Sequence, residues 1–265
     1  MAVAPGTGWP GDPASASTPV ARDGGDVVRL TEHVPSLAHL DARVSMCRAC
    51  PRLVAWREQV AEDKRRAYAA ERYWGRPVTG YGPVRARIVV VGLAPAAHGG
   101  NRTGRIFTGD RSGDWLFSAL HRAGLATQPT SVAAGDGQTL VHTRVLAVVR
   151  CAPPENRPTP EERDTCRPWL ERELEFLRPT MRVVVTLGGF AWASLWPILT
   201  SLGYAVPERR ATFGHGVEFA LSDGLLVLGC FHPSQQNTFT GKLTESMLDD
   251  VFARAVDYAG LRQPA

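Results

Sequence analysis

The chain has 265 residues, of which 44% are apolar and 21% are charged, enough for the core of one large domain or two small ones. No uninterrupted apolar run approaches the roughly 18 residues that a membrane span requires, which excludes a membrane-spanning protein. The formal net charge of +4 suits an anionic partner such as nucleic acid without demanding one.

The N-terminal residues 1–28 are rich in Ala, Pro, Gly and Ser and lack periodic apolar positions, which predicts a disordered leader. This segment has neither the basic start nor the apolar stretch of an export signal. We therefore expect a cytoplasmic protein with a single domain over residues 29–265. Nothing in the sequence demands more than a monomer.

Apolar residues recur at helical spacing over residues 34–66, interrupted at 47–51, which predicts two helical pieces around a cysteine-containing turn. Four short runs rich in β-branched residues follow, and each predicts a buried strand: 88–91, 145–149, 183–187 and 225–231. Helical segments alternate with them or close the chain: 113–123, 160–177, 190–202 and 243–261.

This alternation predicts an α/β fold with a mostly parallel, four-stranded sheet and helices on both faces. Ligands of such sheets bind beyond the carboxyl ends of the strands. The loops that begin at Gly92, Arg150, Gly188 and His232 are therefore expected to form the functional site.

The loop after the first predicted strand, residues 92–110, is long and rich in glycine, yet it lacks the phosphate-binding motifs of NTPases and of nicotinamide enzymes. Its glycines allow close approach of a flat ligand, Phe107 offers a stacking face and Asp110 can accept a hydrogen bond from water. Arg102, Arg105 and Arg111 can contact phosphates. The alternative is an ordinary surface loop with a core Phe, a helix-capping Asp and solvated arginines.

His232 follows the last predicted strand, where its ring N–H can point into the crevice and stabilise a developing negative charge. A histidine that merely binds strand-end carbonyls is the alternative. Lys242 lies at a predicted helix start suited to phosphate, or is simply exposed.

The five cysteines include a C-x2-C pair and a wider C-x14-C pair, with no export signal to suggest disulfides. Four thiolates in two pairs suit either a tetrahedral zinc ion or a [4Fe–4S] cluster, and the spacing does not choose between them. Scattered core thiols are a third reading. Cys230, within an apolar strand, is interpreted as a small buried hydrophobe.

Together these segments resemble the uracil-DNA glycosylases of family 5, the iron–sulfur branch often called UDGb. The resemblance covers nearly all of the chain from Cys47 to Leu261. Four motifs carry it: CRACPRLV at residues 47–54, GLAPAAHG through FTGD at 92–110, RCAPPENRPTP at 150–160 and HPSQQNT at 232–238.

The resemblance implies a three-layer α/β/α domain and a nucleoid-associated enzyme that hydrolyses the N-glycosidic bond of uracil in single- or double-stranded DNA. Hypoxanthine, xanthine and etheno-cytosine are further substrates that it implies. It also implies a [4Fe–4S] cofactor, with the following ligands: Cys47, Cys50, Cys151 and Cys166.

Site roles also follow from the resemblance. Asp110 matches the carboxylate assigned to the attacking water, His232 the histidine that faces the base, and Phe107 the ring that stacks on it. The base pocket is expected to include three more residues: Ala94, His98 and Asn156. The expected DNA-binding side chains are Arg102, Arg105, Gln235, Gln236 and Lys242.

Physically, a flipped base is expected to fit between the Phe107 ring and the His232 imidazole, with Asp110 nearby to deliver water. Two departures from other glycosylase families stand out. Alanines replace an early acidic or amide side chain in the first motif, which predicts broad base specificity. Gln235 and Gln236 stand where some glycosylases carry a leucine wedge, so the residue that fills the vacated stack is open.

Two other functions remain open from the residues. One is an iron–sulfur DNA-binding or electron-transfer module without glycosylase activity. The other is a zinc-stabilised hydrolase of small nucleotides. His215 also matches a family position and is interpreted as structural.

Overall fold

The computed structural model describes residues 2–262. The strands are β1 (Ile88–Gly92), β2 (Thr143–Ala147), β3 (Val183–Leu187), β4 (Glu218–Ala220) and β5 (Leu226–Cys230). The helices are α1 (Gly24–Glu32), α2 (Leu37–Ser45), α3 (Pro51–Asp63), α4 (Gly100–Thr103), α5 (Arg111–Arg122), α6 (Pro160–Leu177), α7 (Gly189–Ser201), α8 (Gln235–Phe239) and α9 (Glu245–Tyr258). Within the described range, no helix is both long and apolar enough to cross a membrane.

The strands form one sheet in the order β2-β1-β3-β5-β4. The first four of these are parallel, and β4 pairs antiparallel with β5. The predicted α/β class and mostly parallel sheet are therefore confirmed, while the predicted count of four strands is wrong. The missing strand, β4, has only three residues and carries no apolar run, because Glu218 and Ala220 at its ends are exposed at the sheet edge.

Alternate strand residues divide the core into two layers. Val89 and Val184 pack with the side chains of α1, α2, α6 and α7 on one face of the sheet. Val90 and Val185 pack with those of α5 and α9 on the other face. The four parallel strands are buried along their whole length, and most of their residues are apolar. The exception is β2, which begins with buried Thr143 and Arg144. The result is the three-layer α/β/α architecture.

Helix α6 begins at a complete capping box. The Thr159 side chain accepts from the Glu162 backbone N–H, the Glu162 carboxylate accepts from the Thr159 N–H, and Pro160 stands at the first helical position. These local signals can all be read from the sequence. The predicted bounds of this helix, 160–177, agree with the structure for that reason.

The N-terminal segment differs from the predicted disordered leader. The Val3 N–H donates to the Trp74 carbonyl at 2.9 Å, and both carboxylate oxygens of Asp12 accept from buried Arg76. These are single, long-range anchors, so no periodic pattern signals them in the sequence. Helix α1 spans the predicted boundary at residue 29. Met1 and residues 263–265, assigned to the leader and the domain, lie outside the described residues.

Candidate active site

A cavity of about 520 Å³ opens at the carboxyl ends of the strands, where the loops that follow β1, β2 and β5 meet. Three of the four loops expected from the sequence therefore contribute to it. It is lined by most of the expected catalytic and base-binding residues and by two of the expected DNA-binding ones: Ala94, Phe107, Asp110, Asn156, His232, Gln235 and Gln236.

Phe107 forms an aromatic wall of this pocket. Its backbone lies in the left-handed region at φ 49°, an unfavourable conformation for a bulky residue that the surrounding loop must hold in place. Glycines make room for it: a Cβ at Gly92 would lie 2.7 Å from the phenyl ring, and one at Gly113 would lie 2.1 Å from the Phe107 carbonyl oxygen. The ring is thus positioned by two close backbone approaches.

The expected sandwich of a base between Phe107 and His232 does not match the geometry. The two ring centroids lie 5.7 Å apart with an interplanar angle of 35°, which is the spacing of an aromatic pair in direct contact. The rings therefore form adjoining walls of one corner. A base stacked on the free part of Phe107 would present its edge, rather than its face, to the imidazole.

Asp110 is the N-cap of α5, and its Oδ1 accepts from the Gly113 N–H at 3.0 Å. The other oxygen packs against Gly99, where a Cβ would lie only 1.9 Å from Oδ2. The helix end and the glycine together orient the carboxylate. Burial raises the pKa of Asp110 above its ordinary value, which makes the carboxylate a stronger base than a solvated one.

His232 follows β5 and lines the pocket. Burial lowers its pKa to about 4, so the imidazole is neutral near pH 7 and carries a single N–H donor. The Asn237 amide donates to the His232 carbonyl at 2.8 Å and ties the loop back onto itself. No local pattern in the sequence predicts this Asn237 contact, because it depends on the turn into α8.

His215 supports the same loop from behind. Its Nδ1 accepts from the Phe231 N–H at 3.2 Å, which leaves the proton on Nε2 to donate to the Met247 carbonyl at 3.2 Å. It lies outside the pocket lining, in keeping with the structural role expected for it.

Asn156 reaches the pocket from a short 3-10 turn that follows β2. Both Glu155 and Asn156 have left-handed backbones, with φ 53° and φ 56°. Asn tolerates this conformation better than most residues. Two such residues in succession are unusual and turn the Asn156 side chain out of the chain path toward the cavity.

The structure corrects the prediction that Arg102 and Arg105 contact DNA. Arg102 is 8% exposed and donates to the carbonyls of His98 and Gly109. Arg105 is 7% exposed and forms a bidentate pair with Asp136. Their guanidinium groups are already satisfied inside the protein, and they hold the shape of the loop that carries Phe107 and Asp110.

His98 is not among the residues that line the pocket, and its role in base binding stays a prediction. Its Nδ1 lies 3.1 Å from the hydroxyl of buried Tyr73. Lys242 is exposed, with its Nζ 4.9 Å from the centroid of Phe231, and it too lies outside the pocket lining. Its contact with DNA stays a prediction.

Two further residues line the pocket, Arg111 and Ser112. The sequence analysis named exposed Arg111 among the arginines that can contact phosphates, and it missed Ser112. Both residues occupy the first turn of α5, immediately after the capping Asp110. When a candidate catalytic residue caps a helix, the first side chains of that helix lie beside it. This signal was available in the sequence.

A larger cavity of about 680 Å³ lies near the amino end of β2 and is lined in part by Asp41, Tyr81 and Arg144. Its charges are paired internally, since Arg144 binds both Asp41 and Glu173. The pocket at the carboxyl ends of the strands brings together Asp110, His232 and Phe107, and it is the candidate active site.

Residues 79–256 match the family model of the uracil DNA glycosylase superfamily. A type-5 uracil-DNA glycosylase of Mycobacterium tuberculosis is 55% identical over 259 residues, which cover 98% of this chain and 95% of that protein. The chain belongs to the type-5 uracil-DNA glycosylases. The type-5 enzyme of Thermus thermophilus is 48% identical over 218 residues, covering 82% and 96% of the two chains. A type-4 uracil-DNA glycosylase of Archaeoglobus fulgidus is 36% identical over 188 residues, covering 71% and 84%.

As a member of this family the protein is a DNA glycosylase, a hydrolase of N-glycosidic bonds whose substrate is DNA. The matched region contains the loops after β1, β2 and β5 and thus the whole pocket described above.

Four cysteines of this glycosylase line a third, small cavity between α3, α6 and the residues that follow β2: Cys47, Cys50, Cys151 and Cys166. All are free thiols. Burial raises the pKa of Cys47 to about 11 and that of Cys50 to about 12, so a metal must displace a proton to bind there.

Buried cationic groups surround these thiols. The Arg57 side chain, 1% exposed, donates from Nη1 to the Cys151 sulfur at 2.8 Å. The Arg150 backbone N–H donates to the Cys166 sulfur at 3.4 Å. Among the described residues, Arg57 Nε and both Nε and Nη1 of Arg150 have no hydrogen-bond partner. Arg150 also forms an ion pair with Glu173, so the unpartnered groups are single N–H donors rather than whole cations. Free buried N–H donors beside four thiols fit an anionic, thiolate-ligated group.

Proposed function

We propose that this chain removes uracil from DNA by hydrolysis and that it also accepts hypoxanthine, xanthine and etheno-cytosine, leaving an abasic site. The observation that carries the proposal is one pocket in which a buried carboxylate, a neutral imidazole and an aromatic wall converge. The names of the type-5 relatives supply uracil as the first substrate.

The target base must leave the double helix before it can reach this pocket, which costs a few kcal/mol of stacking and pairing. Stacking on the Phe107 wall offsets part of that cost. The pocket volume of about 520 Å³ is within the range of small-molecule sites and admits a single base with its sugar.

Departure of the base is assisted by His232. As the C1′–N bond breaks, its electron pair goes to the base, which becomes anionic. A neutral imidazole N–H aimed at the base edge stabilises that charge without giving up its proton. One preorganised donor of this kind contributes about 2.7–4 kcal/mol, or roughly a factor of 10²–10³ in rate.

Asp110 acts on the attacking water. Its carboxylate accepts a proton from the water whose oxygen bonds to C1′, and its negative charge favours the oxocarbenium-like sugar. Burial raises its pKa and so increases its basicity. Asn156, at the same pocket, supplies an amide that can hold the water or the base.

The proposed broad substrate range follows from the lack of polar side chains at one part of the pocket lining. Ala94 and Ala96 line it where a polar side chain would read the hydrogen-bonding edge of the base. An apolar surface cannot strongly reject a base with a different pattern of donors and acceptors.

Exposed side chains around the pocket are suited to hold the DNA strand on either side of the flipped nucleotide. Gln235 and Gln236 line the rim from α8, and Arg111 lines it from α5. Lys242 lies just beyond α8. Contacts of this kind go to phosphates, so affinity falls as salt rises.

We propose a [4Fe–4S] cluster on Cys47, Cys50, Cys151 and Cys166. Among residues 2–262, no group of three or more His, Cys, Asp or Glu side chains is arranged to hold a metal ion, although four thiols line one cavity. The resemblance to the iron–sulfur branch of the family, rather than the arrangement of the thiols, favours a cluster over a single zinc ion. Cys50 at the start of α3, Cys166 on α6 and Cys151 after β2 would hold the cluster, which would cross-link these parts of the chain.

The decisive experiment incubates the protein with duplexes that contain a single uracil, hypoxanthine, xanthine or etheno-cytosine and then adds alkali to cleave abasic sites. We expect cleavage with uracil and with at least hypoxanthine among the others. Cleavage with uracil alone would refute the broad specificity. DNA binding with a bound cluster but no released base would favour an iron–sulfur binding or electron-transfer module instead.

The cluster proposal is tested by iron analysis of purified variants. We expect about four iron atoms and four sulfides per chain in the parent protein and loss of iron in Cys47→Ala. Cys230→Ala is the control, because Cys230 is also a free thiol but lies on β5 and does not line the cavity of the four cysteines. Zinc in place of iron, or retention of iron by Cys47→Ala, would contradict the assignment.

A further inference from the structure

Phe239 is the most exposed large apolar side chain of the described residues, with 67% of its surface accessible. It ends α8, the short helix that follows the His232 loop. Neither the fold nor the pocket described above gives this ring a role. An exposed phenyl group carries an unfavourable free energy of hydration that contact with another apolar surface removes.

The ring lies at the rim of the active-site pocket. Gln235 and Gln236 line the pocket and stand four and three residues before Phe239 on α8, so all three side chains share one helical surface. The guanidinium carbon of Arg111, another pocket residue, lies 4.5 Å from the centroid of the Phe239 ring. One ring face is thus held by a cation, which leaves the other face and the edge free.

The backbone beneath Phe239 is firmly fixed. Ser234 caps α8 by accepting from the Asn237 N–H, and the Asn237 amide donates to the His232 carbonyl at 2.8 Å. The Leu243 N–H donates to the Asn237 carbonyl at 3.0 Å, and the Leu243 side chain is fully buried. The ring is therefore presented at a set position relative to His232, with little conformational entropy left to lose on binding.

We propose that Phe239 inserts into the base stack of double-stranded DNA and fills the space that the flipped base leaves. This inference rests on the proposed base-flipping function. Proteins that unstack DNA insert apolar side chains between base steps, and a phenyl ring can stack on the bases that border the gap. A glutamine at position 235 or 236 offers no such face, whereas Phe239 on the same helix does.

The test compares the parent protein with Phe239→Ala on three substrates of one sequence. These are a duplex with uracil opposite guanine, the uracil strand alone, and a duplex with uracil opposite a pyrene nucleotide. The pyrene ring occupies the stack itself, and the single strand has no stack to fill. We expect kcat/KM of Phe239→Ala to fall about tenfold or more on the uracil-guanine duplex only.

Two further variants sharpen the result. Val28→Ala removes another exposed apolar side chain, 47% accessible on α1, and should leave all three activities unchanged. Phe239→Leu keeps an apolar wedge and should retain part of the duplex activity.

An equal loss on all three substrates, or no loss on the uracil-guanine duplex, would overturn the role of Phe239. If the parent protein releases no base from any of the three, the proposed function itself fails. If the parent protein is active and Phe239→Ala releases uracil from the uracil-guanine duplex equally fast, the insertion of Phe239 is refuted while the proposed glycosylase function stands.

Discussion

The Asp110 carboxylate has two roles, since it caps α5 and also faces the pocket. Its orientation depends on Gly99, where an added Cβ would meet Oδ2 at 1.9 Å. Because the same carboxylate caps the helix and faces the pocket, a substitution beside it disturbs both its hydrogen bond to the helix and its position in the pocket. Under the proposed mechanism, the conformation of this loop sets the position of the reacting carboxylate.

Replacing Gly99 with alanine tests this dependence. The methyl group must displace the Asp110 carboxylate, and a shift of about 1 Å in a catalytic group can cost roughly 10²-fold in rate. We expect a correspondingly lower kcat on uracil-containing DNA, together with a loss of about 1 kcal/mol in the free energy of unfolding because Asp110 also caps α5. Gly24→Ala is the control, because its nearest neighbour atom would be 3.9 Å from the new Cβ. Full activity of Gly99→Ala would contradict the packing argument.

The pH dependence of single-turnover base release tests the protonation states of the two catalytic groups. Burial raises the pKa of Asp110, so release should decline on the acid side through an ionisation above the ordinary aspartate range. The His232 ring stays neutral down to about pH 4 and should add no inflection near neutrality. The acid-side inflection assigned to Asp110 should therefore persist in the His232→Gln variant. Its disappearance in that variant would show that a protonated imidazole takes part.

Helices and strands were predicted correctly where the signal lies in neighbouring residues of the sequence, and incorrectly where it depends on distant contacts. The bounds of α6 could be predicted because the capping box and Pro160 lie within four residues of each other. Strand β4 could not, because it depends on pairing with β5 rather than on its own composition. The N-terminal segment could not either, since single contacts such as Asp12 with Arg76 leave no periodic pattern.

A buried ion cluster joins β2 to α6 and to the loop of Cys151. Glu173, 1% exposed, binds both Arg144 and Arg150. Glu173→Gln leaves the buried Arg150 charge uncompensated, so we expect the free energy of unfolding to fall by about 3–5 kcal/mol. The measurement is the denaturation midpoint, with Glu175→Gln as the control on the same helix.

Glu175 is half-exposed and pairs with Arg172, a contact of at most about 1 kcal/mol. Equal destabilisation by the Glu173 and Glu175 variants would contradict the importance of the buried cluster.

For the whole molecule, the pocket unites three loops that are far apart in the chain but adjacent at the carboxyl ends of parallel strands. The strand predictions located these loops, and the motif residues named most of the lining. What the sequence could not supply was the internal pairing of Arg102 and Arg105, because a solvated and a buried arginine look alike in sequence. The sequence also could not predict that the rings of Phe107 and His232 are in direct contact.

The central claim is that Asp110 delivers water to the sugar in this pocket. It is tested most directly by measuring uracil release and duplex binding for Asp110→Asn, which keeps an oxygen to cap α5. Asp114→Asn, on the exposed side of the same helix, is the control. We predict that Asp110→Asn loses release by a factor of about 10²–10⁴ while binding persists. Release at the parental rate by Asp110→Asn would contradict the account.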